Sequence, residues 1–463
     1  MKNIPRLVIA ATQSGAGKTT IVTGLLAALR QRGLNVQSFK AGPDYIDPGY
    51  HALASGQPAH NLDSWLTPKE ILPEILAAEA ESADVAIVEG VMGLYDGGRQ
   101  GISSTAEIAK IIKAPVLLVI DAKSMGASAA AIAKGFRDYD PSVKLAGVIL
   151  NRLGSDTHEA MIREAMAGFD MPVYGALRRN DGLRMPERHL GLVPVEENKE
   201  RELIGRMGEA VAGQLDLDKL LALARGAEPL AIGESSLSGA GAYSCRIGVA
   251  KDEAFSFYYP ASLKVLAKLG AEIVPFSPLH DEKLPAVDGL FIGGGFPEMF
   301  AGQLAANAAM RQAIGQAAQN DMPILAECGG YMYLMDSLQD FAGVSHPMAG
   351  VFAGQAVMTE KLQMVGYVEA ELQKDSLLGK AGTKLKGHEF HFSKEREPIQ
   401  QDKAPFIFRK LRNNSEYPAG QQVKSVLGSY LHLHFAGCPD AAENFVRQCA
   451  AYKKKRGQVS GEV

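Results

Sequence analysis

Arg6-Leu-Val-Ile-Ala-Ala-Thr-Gln-Ser-Gly-Ala-Gly-Lys-Thr-Thr20 decides the reading of the first half of the chain. Leu7 to Ala11 is apolar without alternation, as in a parallel strand covered on both faces. The glycines that follow open a loop, and Ile21, Val22, Leu25, Leu26 and Leu29 then share one face of a helix over 19–32, with Gly33 as its stop. Strand, glycine loop and helix in that order make a phosphate cradle. Gly15 and Gly17 let the backbone close on the anion, and the helix turns its free N–H groups and positive dipole end towards it. Lys18 reaches the β- and γ-phosphates, the Thr19 hydroxyl ligates Mg²⁺, and Thr20 completes the ATP-binding run. The motif is a variant, because Thr12 stands where its first glycine is usual.

Outward from this loop the pattern repeats. The segments NVQSFK, ADVAIVEG, APVLLVIDA and KLAGVILNR read as further buried strands separated by amphipathic helices, which implies a doubly wound α/β layer. Glu89 ends one strand and so points into the ligand crevice as a candidate Mg²⁺ ligand, with Asp96 in the loop after it. The loop FKAGPDYIDPGYH adds Lys40, Asp44, Tyr45 and Asp47. Asp47 precedes Pro48 and could serve only to set a turn, and spacing alone does not choose between a functional and a plain role for Asp44.

A second alternation (RIGVAKD, AEIVPFSP, GLFIGGG, MPILAEC, VLGSYLHLHF) follows GESSLSGAGAY at 233–243, a stretch with nothing to bury. The expected division is an ATP-binding domain at 1–228, a linker at 229–244, a second α/β domain at 245–445 and a solvated basic tail at 446–463. In the second domain MPILAEC-GG-YMYLMDSL reads as strand, tight turn and helix, placing Cys328 at a helix N-terminus that favours thiolate. That is the logic of a nucleophile elbow. His432 and His434, two apart on an expected strand, are the candidate bases. Backbone N–H groups of Gly293 to Gly295 are the candidate oxyanion hole, with Gly294 and Gly295 foremost. Cys245, Cys438 and Cys449 read as structural.

Composition bounds the rest. The 463 residues call for two or three domains, and 46% hydrophobic with 22% charged residues is ordinary globular usage. A net charge of −4, from 48 basic and 52 acidic residues, gives no footprint for nucleic acid or a membrane surface. The apolar run near Met1 is too short for a signal segment, and four scattered cysteines form no disulfide or zinc pattern. The expectation is a reduced, cytoplasmic enzyme.

With both sites placed, the chain resembles the cobyrinate a,c-diamide synthases of the cobyrinic/cobyric acid amidotransferase family. The resemblance runs nearly full length through TQSGAGKTT, FKAGPDYIDPGYH, NLDSWL, VEGVMGLYDG, PERHLGLVP, AFSFYYP, GGGFPE, AECGGYMYL, GHEFHFS and SYLHLHF. It implies a dethiobiotin-synthetase-like P-loop domain followed by a class I-type glutamine amidotransferase domain. In that family the cysteine matching Cys328 attacks L-glutamine, and the histidine matching His432 raises its nucleophilicity. The H-x-E spacing that supplies a third member elsewhere is missing after His432. Lys40, Asp44, Tyr45, Asp47, Glu89 and Asp96 carry over as ATP/Mg²⁺ or substrate-positioning residues. The implied reaction is ATP-dependent amidation of the a and c carboxylates of cobyrinate through an acyl phosphate, with ammonia shielded between the domains. Hydrogenobyrinate and Ni-sirohydrochlorin are the alternative rings, and a non-catalytic P-loop switch is the alternative class. Pairing of dethiobiotin-synthetase-like domains makes a homodimer the fold-level expectation. Glu389, His388 and His391 of GHEFHFS could form a ligand set, yet the segment also alternates like a strand, and interdomain packing is the reading taken.

Overall fold

The computed structural model describes residues 2–183, 198–233 and 241–460. The PERHLGLVP segment and residues 234–240 of the expected linker lie outside them. The chain divides into two compact units, Met1–Ser236 and Leu237–Val463, and their boundary falls inside the expected linker.

The first unit is built on a seven-stranded sheet. Its strands are β1 (Arg6–Ala11), β2 (Val36–Ala41), β3 (His60–Leu62), β4 (Val85–Glu89), β5 (Val116–Asp121), β6 (Leu145–Leu153) and β7 (Val173–Arg178). Their spatial order is β3-β2-β4-β1-β5-β6-β7, and every pairing is parallel. β1, β2 and β4 are buried along their whole length, which accounts for the apolar runs Leu7–Ala11 in β1 and Val85–Val88 in β4. β1 lies between β4 and β5, so the loop leaving it meets the carboxyl ends of its neighbours. Helix α1 (Lys18–Gln31) follows that loop, and α2 (Ile46–Ser55) follows β2.

The second unit is centred on a six-stranded sheet in the order Ala271–Phe276, Cys245–Ala250, Gly289–Ile292, Ile324–Glu327, Val426–Ser429 and Gln421–Val423. All pairings are parallel except the last. Two further sheets, largely antiparallel, arise mainly from residues 335–419, a region whose strands the sequence reading did not separate.

Two expectations need correction. VLGSYLHLHF is not one strand. The chain leaves the parallel sheet after Ser429, whose hydroxyl accepts the Leu431 N–H at 3.2 Å, and His432–Leu433 pairs instead with the antiparallel strand Lys384–His391. His434 lies beyond that short strand against the Tyr259 ring, 4.8 Å between centroids. Nor is 446–463 a solvated tail: Pro439–Ser460 is a helix that buries Phe445, Val446 and Cys449. Its Arg456 bonds the Val287 carbonyl at 3.0 Å and Asp288 at 2.9 Å. The basic residues crowd the outer face of a helix whose inner face is apolar. Among the described residues no helix is long and apolar enough to cross a membrane.

Candidate active site

The phosphate loop closes as its glycines require. Gly15 and Gly17 have φ of 79° and 92°, a left-handed conformation open to glycine at little cost. At Gly17 a Cβ would also fall 2.2 Å from the Asn151 side chain, whose amide donates to the Ala16 carbonyl at 2.8 Å. Asn151, at the carboxyl end of β6, therefore pins the loop from the neighbouring strand, a role local sequence did not indicate. Gln13, Ser14 and Gly15 are exposed at the mouth, whereas Lys18 is buried and donates to the Met92 carbonyl at 2.9 Å. Burial lowers the Lys18 pKa to about 8, against the opposing pull of Glu89.

Glu89 and Lys40 are register partners across the β2–β4 ladder, and their side chains meet at 2.9 Å in the fully buried interior. Such a pair is stable only when both groups find further partners, and stripping one partner typically costs about 3–5 kcal/mol. Here the partners are present. Glu89 Oε1 also accepts the Thr19 hydroxyl at 2.7 Å, and Oε2 meets His51 Nε2 at 2.6 Å. Lys40 contacts Asp47 and stands 3.7 Å from Asp44. Burial alone would raise the Glu89 pKa, but Lys40 and the His51 hydrogen bond hold it well below the usual carboxylate range. Burial likewise opposes charge on Lys40, yet Asp47, Glu89 and Asp44 keep the ammonium protonated far above its ordinary range.

These groups suit a hard cation. Thr19 Oγ1 is 2.7 Å from Glu89 Oε1 and 3.4 Å from Asp47 Oδ2, so one hydroxyl and two carboxylates converge beside the phosphate cradle. Among the described residues no group of three or more His, Cys, Asp or Glu side chains is arranged to hold an ion. Part of the coordination shell here would therefore fall to nucleotide phosphates. Asp47, placed in the first turn of α2, does more than set a turn, since its carboxyl lies 3.4 Å from the Thr19 hydroxyl. Asp44 instead accepts the Ile46 N–H at 2.8 Å and faces Lys40. Tyr45 occupies the position before α2, and Thr20 continues α1. Asp96 is exposed and shapes its own loop, accepting the Gly93 N–H at 3.2 Å.

In the second unit Cys328 sits between strand Ile324–Glu327 and the short helix Gly329–Leu334, with φ 48° and ψ −104°. A non-glycine residue held there costs roughly 1–3 kcal/mol and persists only where its surroundings impose it. The surroundings do so. Cys328 N–H donates to the Ser429 carbonyl at 2.8 Å, and Gly330 N–H donates to the Gly293 carbonyl at 3.0 Å. A Cβ on Gly330 would lie 2.0 Å from the Ile292 carbonyl oxygen. The elbow is thus locked onto the glycine loop 293–295, and the backbone nitrogen of Gly295 lies 3.0 Å from where a Gly329 Cβ would stand. The Tyr258 hydroxyl orients that loop, accepting the Gly293 N–H at 2.7 Å and donating to the Ala250 carbonyl at 2.6 Å.

His432 is packed against this loop, since a Cβ on Gly294 would touch its Cε1 at 2.6 Å. Burial lowers the His432 pKa to about 3, so the ring rests neutral, the form a general base needs. Burial also pushes the Cys328 thiol well above its ordinary range, with Glu298 adding to the effect. The expectation that the helix end would favour thiolate is therefore corrected. Desolvation outweighs the dipole of a helix only 6 residues long, and the thiol depends on a base to lose its proton. Two carboxyls near the elbow went unnoticed in the sequence. Burial raises Glu298 to about 7 and Glu327 to about 8. Of GHEFHFS, His388 opposes His432 in the ladder, Glu389 bonds the Tyr417 hydroxyl, and the His391 ring stacks on Tyr430 at 3.8 Å. All four cysteines are free.

Comparison with known proteins matches this two-part arrangement. Residues 7–193 fit the CobQ/CobB/MinD/ParA nucleotide binding domain, and residues 246–439 fit the CobB/CobQ-like glutamine amidotransferase domain. A cobyrinate a,c-diamide synthase of Dehalococcoides mccartyi (strain CBDB1) is 46% identical over 457 residues, spanning 96% of this chain and 98% of that one. One from Listeria monocytogenes serotype 4b is 44% identical, covering 93% and 96%. A hydrogenobyrinate a,c-diamide synthase of Streptomyces coelicolor is 42% identical, covering 96% and 98%. With a nucleotide-binding unit, a glutamine amidotransferase unit and relatives of this closeness matched almost end to end, the chain belongs to the cobyrinate a,c-diamide synthase family of glutamine-dependent ligases.

Proposed function

We propose that this enzyme amidates the a and c side-chain carboxylates of cobyrinate, using ATP and glutamine. The observation that carries the reading is the presence, in one chain, of the Cys328 elbow and the Lys18–Thr19–Glu89 phosphate site.

On the glutamine side, the Cys328 sulfur attacks the side-chain amide carbon of glutamine as His432 takes the thiol proton. Backbone N–H groups of Gly294 and Gly295 receive the oxyanion. His432 then protonates the leaving nitrogen, ammonia departs, and water hydrolyses the thioester to release glutamate. On the ATP side, a substrate carboxylate oxygen attacks the γ-phosphorus and ADP leaves, giving an acyl phosphate. Ammonia attacks its carbonyl carbon, phosphate leaves, and an amide remains. Lys18 leaves the Met92 carbonyl to offset phosphate charge, while Lys40 balances the carboxylates around it. Mg²⁺, held by Thr19 with Glu89 and Asp47 or Asp44, would supply further neutralisation of the developing charge. Ammonia must pass between the sites unprotonated, because ammonium is no nucleophile. A cytoplasmic location suits four free cysteines, and pairing of dethiobiotin-synthetase-like domains supports a homodimer.

The test is mass spectrometry of the full chain incubated with ATP, Mg²⁺, glutamine and cobyrinate, hydrogenobyrinate or nickel sirohydrochlorin. Two successive OH-to-NH₂ mass changes on cobyrinate support the proposal. Reaction confined to another ring transfers the assignment to that ring. No reaction on any, with ATP and glutamine still hydrolysed, overturns the substrate class.

A further inference from the structure

The two oxygens of Glu89 have separate duties. Oε1 faces the phosphate site, where it accepts from Thr19 at 2.7 Å and Lys40 at 2.9 Å. Oε2 faces away and meets only His51 among the hydrogen bonds described, at 2.6 Å. Neither Glu89 nor His51 has any solvent exposure. An ionised carboxylate only accepts, so His51 Nε2 carries the hydrogen.

His51 does not stand alone. It is four residues after Asp47 on helix α2, so the two project from the same face one turn apart. Asp47 grips Lys40, His51 grips Glu89, and Lys40 and Glu89 grip each other across the ladder. One helical turn thereby closes a ring of four charged or polar groups, with its open edge towards the Thr19 hydroxyl. A carboxylate free to rotate about its last bond would lose that aim, and a hydrogen bond to its rear oxygen removes the freedom. Outer partners of this kind commonly set the performance of an ion site.

We infer that His51 is the positioning residue of the ATP site, holding the Glu89 carboxylate so that Oε1 addresses the metal–phosphate position. The inference rests on reading that site as the binding place of ATP with a divalent cation, and it extends to a residue that touches neither.

Full-length His51→Ala and His51→Gln chains test it, with Mn²⁺ as the paramagnetic probe titrated into protein and ATP. His51→Ala is expected to weaken Mn²⁺ binding about 10- to 100-fold. Ammonium-driven amidation should fall in kcat by a similar factor, while glutamine hydrolysis at Cys328 stays at the wild-type rate. His51→Gln, whose amide can present an N–H to the same oxygen, is expected to restore most of both. A folded His51→Ala chain that binds Mn²⁺ as wild type overturns the inference, as does a His51→Gln loss equal to that of His51→Ala. If the wild-type chain binds Mn²⁺ with ATP but amidates no tetrapyrrole acid, the substrate reading fails alone and the titration still decides the part played by His51. A wild-type chain that binds no Mn²⁺ with ATP overturns both.

Discussion

The Glu327 carboxyl stands 3.8 Å from Nδ1 of His432, while its other oxygen accepts the Leu433 N–H at 3.2 Å. It is the residue immediately before Cys328, so one strand end supplies both the proposed nucleophile and a carboxyl facing the ring proposed to activate it. A small inward shift would make the contact a hydrogen bond and leave Nε2 to receive the thiol proton. Glu327→Gln keeps shape and the Leu433 contact but replaces an ionisable carboxyl with a group that cannot take up charge beside the ring. Its glutamine hydrolysis is expected to fall roughly 100-fold in kcat with KM little changed. Steady-state glutaminase kinetics check this, and a wild-type kcat would remove Glu327 from the mechanism.

The same residue makes stability depend on pH. Its carboxyl ionises near 4.5 when unfolded but is raised by burial to about 8 when folded. Between those values the folded chain holds a proton the unfolded chain has lost, so stability falls as pH rises through the window. The upper bound is about 5 kcal/mol, from 1.36 kcal/mol for each pH unit between those two values. Thermal melts at pH 6 and pH 8.5 should therefore differ less for Glu327→Gln than for wild type. An unchanged difference would show that Glu327 does not titrate in this range.

Separate chemistry predicts separable losses. Cys328→Ala should abolish glutamine-driven amidation yet retain turnover with high external ammonium, because the phosphate site is untouched. Lys18→Ala should lose turnover with either nitrogen source, by about 100-fold or more given the stabilisation such a cation lends to phosphoryl transfer. Product formation under the two nitrogen sources checks both, and failure of ammonium to rescue Cys328→Ala would contradict the two-site scheme.

Gly330→Ala should damage the elbow through packing alone. The new carbon would meet the Ile292 carbonyl oxygen, a backbone atom of the central sheet that cannot step aside. Overpacking of this sort costs about 1–3 kcal/mol. Denaturant unfolding should show that loss together with reduced alkylation of Cys328, and unaltered stability would mean the elbow has slack.

What could be read beforehand was local. Strand, loop and helix around Lys18, and strand, turn and helix around Cys328, are each contained in about twenty adjacent residues, where periodicity and glycine placement speak directly. The buried strand ending in Glu89 was legible for the same reason. Partners that depend on sheet order were not. His51 and Glu89 are 38 positions apart, and Glu327 and Leu433 are 106 apart. His432 stands out as a candidate in the sequence, but its strand does not, because SYLHLHF alternates whether or not it stays in the first sheet. Pairing with Lys384–His391 decided the matter, and no local pattern announced it. The basic run near the C-terminus likewise hid a helix whose apolar face begins earlier, at Ala441, Ala442 and Phe445.

The glutaminase centre is specified in part by atoms that are missing. Side chains larger than hydrogen at Gly330 and Gly295 would both meet carbonyl oxygens at 2.0 Å, from Ile292 and Ala254 respectively. Those oxygens belong to the scaffold, so no rearrangement of neighbouring side chains makes room. A library built to retune the choice of nitrogen donor would waste its diversity at these positions. Its productive variation lies in groups near the thiol that do not form the elbow, such as Glu298, whose charge bears on it, where change can alter recognition while the chain still closes around Cys328.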